Sequence, residues 1–168
     1  VITEFADDDA KKQAAQIEEF VKSQADCIVI APVSSNELAD ALDQAGEARI
    51  PVIAYDSLLM NTDAVSFYLS FDYKGAGILI GQTMIKKAGL DHLADGEYKT
   101  IEFFMGDSGN RNARLLYKGL MEALKPYLDE GTLVCKSGRT SMKSAAIAGE
   151  TKEKAKKRCA DILAEYYN

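Results

Sequence analysis

Two stretches decide the fold of this chain: Pro51-Val52-Ile53-Ala54-Tyr55-Asp56-Ser57 and, after a short loop, Phe67-Tyr68-Leu69-Ser70-Phe71-Asp72-Tyr73. Each is an apolar run that ends in an aspartate, as expected of a strand that carries a carboxylate to its carboxyl end. Ligands of open α/β sheets bind in the crevice beyond those strand ends. We therefore expect Asp56 and Asp72 to accept hydrogen bonds from a hydroxyl-rich ligand. The alternative is that they only cap turns or helices.

The rest of the chain alternates between apolar runs and amphipathic segments. Strands are predicted at residues 1–5, 27–31, 100–105 and 132–135. Helices are predicted over residues 74–87, over 111–125 with Pro126 as the stop signal, and over 150–166. Strands that alternate with helices of this length form parallel βαβ units with right-handed crossovers. The predicted fold class is α/β, with Rossmann-like parallel sheets and flanking helices.

The composition excludes several classes of protein. The 168 residues are 47% hydrophobic, which suffices for a good core, and their formal charge is -6. That charge argues against a nucleic-acid partner, because phosphate binding needs clustered positive potential. A basic run at residues 152–158 is predicted to be the solvated face of the last helix. No segment approaches the roughly 18 consecutive apolar residues of a membrane span, and a signal peptide is either absent or already removed.

The sequence shows no machinery for catalysis. Its one histidine, His92, lies in a polar stretch, and the serines between residues 137 and 144 have no histidine partner. Asp56 and Asp72 lack a third ligand at a spacing that would bind a metal. We therefore predict a binding protein that is not an enzyme and uses no cofactor. The cysteines show neither CxxC nor Cys/His spacing and are predicted to be buried thiols: Cys27, Cys135 and Cys159.

The polar stretch at residues 91–98 is the predicted linker between two domains. Residues 1–94 are assigned to an N-terminal Rossmann-like domain and residues 99–168 to the start of a second one. The first predicted strand begins at residue 1, and the last helix is not followed by the strand that the alternation calls for. We therefore expect a segment of a longer protein. A sheet without its central strand would expose unpaired edges, and these edges favour self-association.

Several motifs, taken in order, resemble a single family. In the first half they are Phe5-Ala6-Asp7-Asp8-Asp9, Gln16-Ile17-Glu18, Pro51-Val52-Ile53-Ala54-Tyr55-Asp56, Asn61-Thr62-Asp63 and Phe71-Asp72. In the second half they are Gly106-Asp107-Ser108, Asn112-Ala113-Arg114, Leu124-Lys125-Pro126-Tyr127 and Lys136-Ser137-Gly138. Together they resemble the periplasmic sugar-binding proteins of ABC transporters, and most closely the xylose-binding and multiple-monosaccharide-binding branch. The resemblance implies the periplasmic-binding-protein type I fold, with one sugar in a cleft between two Rossmann-like domains, here incomplete at both ends.

The resemblance implies that both strand-end aspartates contact the sugar. Asp56 matches the aspartate of the family's Tyr-Asp-Arg motif, in which Ser57 here replaces the arginine. Asp72 matches the aspartate of a Phe-Asp-Asn motif, in which Tyr73 here replaces the asparagine. A serine hydroxyl cannot reproduce the planar fork of donors that a guanidinium offers. The two replacements therefore change the hydrogen-bonding groups beside both aspartates.

Three further site residues follow from the same resemblance. Asn112 matches the last asparagine of an Asp-Asn-Asn-Ala motif and is preceded by Arg111. Glu150 stands where the family has a tryptophan that packs on the apolar face of the sugar. The chain has no tryptophan, so this stacking surface is lost.

The function implied is transport. The protein is expected to bind a monosaccharide and to deliver it to the membrane permease of an ABC importer, in the periplasm or outside the cell. The parent protein is either free or held to the membrane by a lipid anchor, and the sequence leaves both open. Two alternatives stay open. The chain could be the effector-binding core of a sugar-responsive transcription repressor, or a fragment without binding activity of its own.

Overall fold

The computed structural model describes residues 1–167, apart from the side chain of Glu150. The chain divides into two compact units, Val1–Phe71 and Asp72–Asn168. The strands are β1 Ile28–Ile30, β2 Val52–Tyr55, β3 Val65–Leu69, β4 Lys99–Thr100 and β5 Leu133–Val134. The α-helices are α1 Ala10–Lys22, α2 Ala39–Glu47, α3 Tyr73–Ala88, α4 Arg111–Glu130, α5 Met142–Ala145 and α6 Lys152–Tyr166. Short 3-10 helices cover Leu90–His92 and Ala148–Glu150.

The first unit is built on a parallel sheet in the order β1-β2-β3. Val29 is paired with Ile53, and Ile53 with Phe67. One face of the sheet packs against α1 and α2, because the alternate residues of β1 and β2 point into one apolar core. Its most deeply buried members are Leu38, Leu42, Ala45, Val52 and Ala54. This arrangement confirms the predicted α/β class with parallel strands.

The strand predicted at residues 1–5 is not formed. A strand is held by hydrogen bonds to a neighbouring strand, and among the described residues β1 pairs only with β2. Val1, Ile2 and Phe5 are exposed. The local apolar pattern was therefore insufficient to make a strand without a pairing partner.

The second unit contains the parallel pair β4-β5 and one isolated parallel bridge between Met105 and Ala146. The predicted strand at residues 100–105 is thus only partly formed, at its two ends. Around it lies a second apolar core, which includes Phe103, Leu120, Leu124 and Leu133 among others. This core is formed mainly between the strands and α4.

Pro126 does not end the helix in which it lies, so the predicted stop at Lys125 is wrong. The helix α4 continues to Glu130 and ends at Gly131, whose φ of 81° gives a left-handed cap. A proline inside a helix costs about 3 kcal/mol, but Leu124 is fully buried just before it and Tyr127 and Leu128 pack on the same core just after it. Burial of both turns offsets the missing hydrogen bond.

Helices α3 and α4 pack at very short range within the second unit. A side chain at Gly77 would overlap the carbonyl oxygen of Leu116, and one at Gly119 would overlap that of Lys74. Because α3 packs on α4, the boundary between the compact units falls after Phe71 rather than within residues 91–98. The assignment of residues 1–94 and 99–168 to the two domains of the complete protein stays a prediction.

The cysteines are not the buried thiols that the sequence predicts. Cys27 and Cys159 are exposed, and Cys135 is half-buried. Cys27 lies just before β1 and outside its buried positions, whereas Ile162 is the residue by which α6 reaches the interior. Among the described residues, no helix is both long and apolar enough to cross a membrane.

Candidate functional site

Asp56 follows β2 directly and has an unusual backbone conformation. Its φ of 67° lies in the left-handed region, which asparagine and aspartate enter more readily than most other residues. Its N–H donates to the carbonyl oxygen of Leu69 at 2.8 Å. Its own carbonyl oxygen accepts from the Ser70 hydroxyl at 2.8 Å and from the Tyr68 hydroxyl at 3.1 Å. The end of β2 is thereby fixed to the end of β3, with Asp56 half-buried at the junction.

Ser57 continues the turn that Asp56 begins. Its N–H donates to the carbonyl oxygen of Tyr55 at 2.9 Å, which closes a tight three-residue turn. The side chain of Ser57 is half-buried. Asp56 and Ser57 therefore lie together at the carboxyl end of the first sheet, as the sequence predicts.

Asp72 is the N-cap of α3. The alternative that this aspartate caps a helix is therefore correct for part of its role. Its Oδ1 accepts from the N–H of Gly75 at 2.8 Å. An ionised carboxylate has about four acceptor positions, so capping leaves capacity for a ligand hydroxyl. Tyr73 is the first residue of the helix and is half-buried.

Asn112 lies in the first turn of α4 and is a buried polar side chain, 8% exposed. The helix begins at Asn110, whose side chain accepts from the N–H groups of Asn112 at 2.9 Å and Ala113 at 3.3 Å. Arg111 occupies the first helical position and is exposed. The helix N-terminus thus presents a guanidinium and a buried amide side by side along the chain, with the partial positive charge of the helix dipole behind them.

Asp107 is a residue that the sequence reasoning did not assign to the site. Its Oδ1 accepts from the N–H of Gly109 at 2.8 Å, and its Oδ2 accepts from the N–H of Gly149 at 2.9 Å. Hydrogen bonds from Gly149 and Gly109, with the nearby charge of Lys154, hold the pKa of Asp107 below its usual value. The sequence signal was local: Gly106-Asp107-Ser108-Gly109-Asn110 is a turn-forming run just before a helix. This run does not indicate that Asp107 also binds the distant Gly149.

Glu150 is the last residue of the turn Ala148–Glu150, which also contains Gly149. Its side chain is outside the described residues, so its predicted place in the site is untested. The turn Ala148–Glu150 includes Gly149 at a φ of 72°, which a residue with a side chain adopts only with strain. This glycine is therefore required by the turn itself.

A second polar cluster of the same unit has a structural explanation. The carboxylate of Glu102 accepts from the hydroxyl and the N–H of Ser137 and from the Tyr167 hydroxyl. Burial alone would raise the pKa of Glu102, but these hydrogen bonds outweigh it and leave the pKa below its usual value. The cluster ties the end of α6 to the loop after β5.

The site residues are divided between the two compact units. Asp56 and Ser57 lie in the first unit, and the remaining predicted residues lie in the second: Asp72, Tyr73, Arg111, Asn112 and Glu150. In each unit they lie at a strand end or at the beginning of a helix. Among the described residues, no three His, Cys, Asp or Glu side chains are grouped so that they could hold a metal ion.

Parallel sheets with flanking helices, and polar side chains gathered at strand ends and helix starts, define an α/β protein of the Rossmann-like kind. The particular family follows from comparison with known proteins. The family model described as a periplasmic binding protein domain matches residues 1–168. The chain belongs to this family and has its type I fold.

Proteins whose names state sugar binding are similar to this chain over most of its length. The multiple sugar-binding periplasmic receptor ChvE of Rhizobium radiobacter is 36% identical over 165 residues, which are 98% of this chain and 46% of that protein. The D-xylose-binding periplasmic protein of Escherichia coli K12 is 32% identical over 134 residues, 79% of this chain and 38% of that protein. The resemblance to the xylose and multiple-monosaccharide branch is thereby confirmed. The chain spans about half the length of the relatives that it matches.

A solved structure extends the comparison to the fold. An ABC transporter solute-binding protein from Clostridium phytofermentans, solved with bound β-D-glucose, superposes with a TM-score of 0.85 at 41% sequence identity. The alignment covers 98% of this chain and 50% of that one. The predicted periplasmic-binding-protein type I fold is confirmed.

Proposed function

We propose that the complete protein binds a monosaccharide between two domains and delivers it to the membrane permease of an ABC importer, at the periplasmic or outer face of the cell membrane. The observation that carries this proposal is the similarity to a glucose-bound solute-binding protein at 41% identity over 98% of the chain. Closure of two domains around a ligand is the motion by which such binding proteins sequester it. The importer would then recognise the closed form.

The sugar contacts proposed for this chain are hydrogen bonds and require no reaction. Carboxylate and amide oxygens accept from sugar hydroxyls, and guanidinium and amide N–H groups donate to them. The buried amide of Asn112 is proposed to bind one sugar hydroxyl, so a ligand without that hydroxyl is expected to bind less tightly. The proposed contact residues are Asp56, Ser57, Asp72, Tyr73, Arg111, Asn112 and Glu150.

The proposal is tested on the full-length protein with a panel of pentoses and hexoses. A thermal-shift screen identifies the sugar that raises the melting temperature, and calorimetry then gives its Kd. Asn112→Ala is expected to weaken binding by about 1–3 kcal/mol, the cost of an unpaired polar partner. Asn36→Ala, at an exposed asparagine, is the matched control and should bind as the wild type does. A panel without any binding monosaccharide would contradict the proposed function.

Asp56 needs a different substitution. Alanine at a φ of 67° would add backbone strain to the loss of the carboxylate, whereas asparagine adopts this conformation. We therefore choose Asp56→Asn, which replaces one acceptor oxygen by a donor, and expect it to weaken sugar binding. Asp95→Asn, at an exposed aspartate, is the control. Equal affinity of the Asp56 variant and the wild type would remove Asp56 from the site.

The coding sequence upstream of residue 1 distinguishes the repressor alternative from the transport function. A coding sequence for a signal peptide upstream of residue 1 supports export and delivery to an importer. A helix-turn-helix domain in that position would support the repressor instead.

A further inference from the structure

Asp107 joins two segments that are far apart in the sequence. One carboxylate oxygen holds Gly109 in the loop before α4, and the other holds Gly149 in the turn before α6, 42 residues away. Each bond is shorter than 3 Å. Because hydrogen bonding to these amides lowers the pKa of Asp107, the carboxylate is ionised at neutral pH, and both bonds are charge-assisted.

The turn at Gly149 is also held from its other side. Lys154 in the first turn of α6 donates from Nζ to the carbonyl oxygen of Ala148 at 2.8 Å. The hydroxyl of Thr151 caps the same helix by accepting from the N–H of Lys154 at 3.4 Å. The turn therefore has its amide fixed by Asp107 and its carbonyl fixed by Lys154, which leaves it little freedom.

The same residue is connected to the buried Asn112 through its backbone carbonyl group. The N–H of Asn110 donates to the carbonyl oxygen of Asp107 at 3.0 Å. The side chain of Asn110 accepts in turn from the N–H of Asn112. Arg114 stiffens this loop further, because its guanidinium donates to the carbonyl oxygens of Ser108 at 2.9 Å and Gly109 at 2.8 Å.

We propose that Asp107 is a positioning residue of the sugar site, which holds the turn carrying position 150 beside the start of α4, so that this turn and Asn112 meet the ligand in fixed geometry. The inference rests on the proposed function. The two oxygens of Asp107 hold backbone amides, and we assign its effect on the sugar to the turn that they position.

Three substitutions of Asp107 separate this role from general destabilisation. Alanine removes both acceptors. Gly109 and Gly149 bind different oxygens of Asp107, and asparagine replaces one of these oxygens by an NH2 donor, so only one of the two bonds keeps its acceptor in place. Glutamate keeps two oxygens on a longer stem and is the rescue variant. Asp95→Asn serves as the control for loss of an exposed carboxylate.

Two measurements on the full-length protein test the proposal. Without sugar, amide hydrogen exchange at Gly149 is expected to be at least tenfold faster in Asp107→Ala than in the wild type, while amides in the middle of α4 keep their protection. With the sugar found by the thermal-shift screen, Asp107→Ala should raise the Kd at least tenfold. The Kd of Asp107→Asn should lie between those of the wild type and Asp107→Ala. Asp107→Glu should recover part of the affinity that Asp107→Ala loses.

The possible outcomes are distinct. If the wild type binds a sugar and Asp107→Ala and Asp107→Asn bind it equally well, the positioning role is wrong and the proposed function stands. If the Gly149 amide exchanges at the wild-type rate in Asp107→Ala, the carboxylate of Asp107 does not hold the two segments together. If Asp107→Ala fails to fold, the Asn and Glu variants decide by the same two measurements. A wild type that binds no monosaccharide overturns the function itself, whatever exchange shows.

Discussion

At the scale of single residues, the aspartates that end the two decisive strands have different structural roles. Asp56 is held by backbone hydrogen bonds in a left-handed conformation between β2 and β3. Asp72 begins α3 as its N-cap. The sequence predicts both positions, because an apolar run followed by a carboxylate marks a strand end. It could not predict the left-handed φ of Asp56, since that depends on the pairing with Leu69 and Ser70.

Glu102 gives a pH-dependent prediction at this scale. Its carboxylate accepts hydrogen bonds from Ser137 and Tyr167, and its pKa is lowered despite partial burial. We expect Glu102→Gln to lower the free energy of unfolding by about 1 kcal/mol at pH 7, a size set by these partly exposed hydrogen bonds. Denaturant unfolding monitored by circular dichroism measures the difference.

The sign of the pH dependence follows from the lowered pKa of Glu102. The advantage of the wild type over the Gln variant should be complete above the usual glutamate pKa of about 4.3. It should be lost as the pH falls through the lower pKa of the folded state. A difference that grew on acidification would contradict this account.

At the scale of elements, the contact of α3 with α4 is the most constrained packing in the second unit. At Gly77 and at Gly119 there is no room for a methyl group, because a backbone carbonyl of the other helix occupies the space. Backbone cannot move aside as a flexible side chain can. The two helices must therefore separate if either position gains a side chain.

We predict that Gly119→Ala destabilises the protein even though alanine has the higher helix propensity. The cost should be at least the roughly 1–3 kcal/mol typical of overpacking. Lys118→Ala, at the neighbouring exposed position of α4, is the control and should change stability little. Thermal unfolding of both variants measures the contrast. Equal or greater stability of Gly119→Ala would show that the helices can move apart at no cost.

The helices were more predictable from the sequence than the strands. The predicted helix at residues 74–87 is observed as Tyr73–Ala88, because its apolar spacing and Gly89 cap are local signals. Residues 1–5 fail as a strand because pairing is a non-local requirement. Pro126 wrongly predicts the end of a helix, because burial of the turns on both sides of it outweighs the local cost of a proline inside α4. The hydrogen bond from Gly149 to Asp107 was missed because the two residues are 42 positions apart.

At the scale of the whole molecule, the chain covers 46% of ChvE and 50% of the glucose-bound protein from Clostridium phytofermentans. In a binding protein that closes around its ligand, both domains contribute contacts. The relatives are about twice as long as this chain, so we expect residues outside these 168 to contribute further contacts to the sugar.

We predict that the 168-residue chain alone binds the sugar of the full-length protein at least 100-fold more weakly, or not at all. Each missing polar contact removes about 0.5–1.5 kcal/mol, and 100-fold is about 2.7 kcal/mol. Calorimetry on both proteins gives the comparison, with circular dichroism to establish that the shorter chain is folded. Micromolar binding of a pentose or hexose by the shorter chain would show that these residues form a sufficient site.

The exposed cysteines are sites at which fluorescent dyes can be attached to the protein. Cys27 belongs to the first unit and Cys159 to the second, whereas burial raises the pKa of the half-buried Cys135 thiol and leaves less of the reactive thiolate. A thiol-reactive dye pair would therefore attach at Cys27 and Cys159 before Cys135. If the complete protein closes around a sugar as proposed, energy transfer between dyes at Cys27 and Cys159 would change when sugar is added.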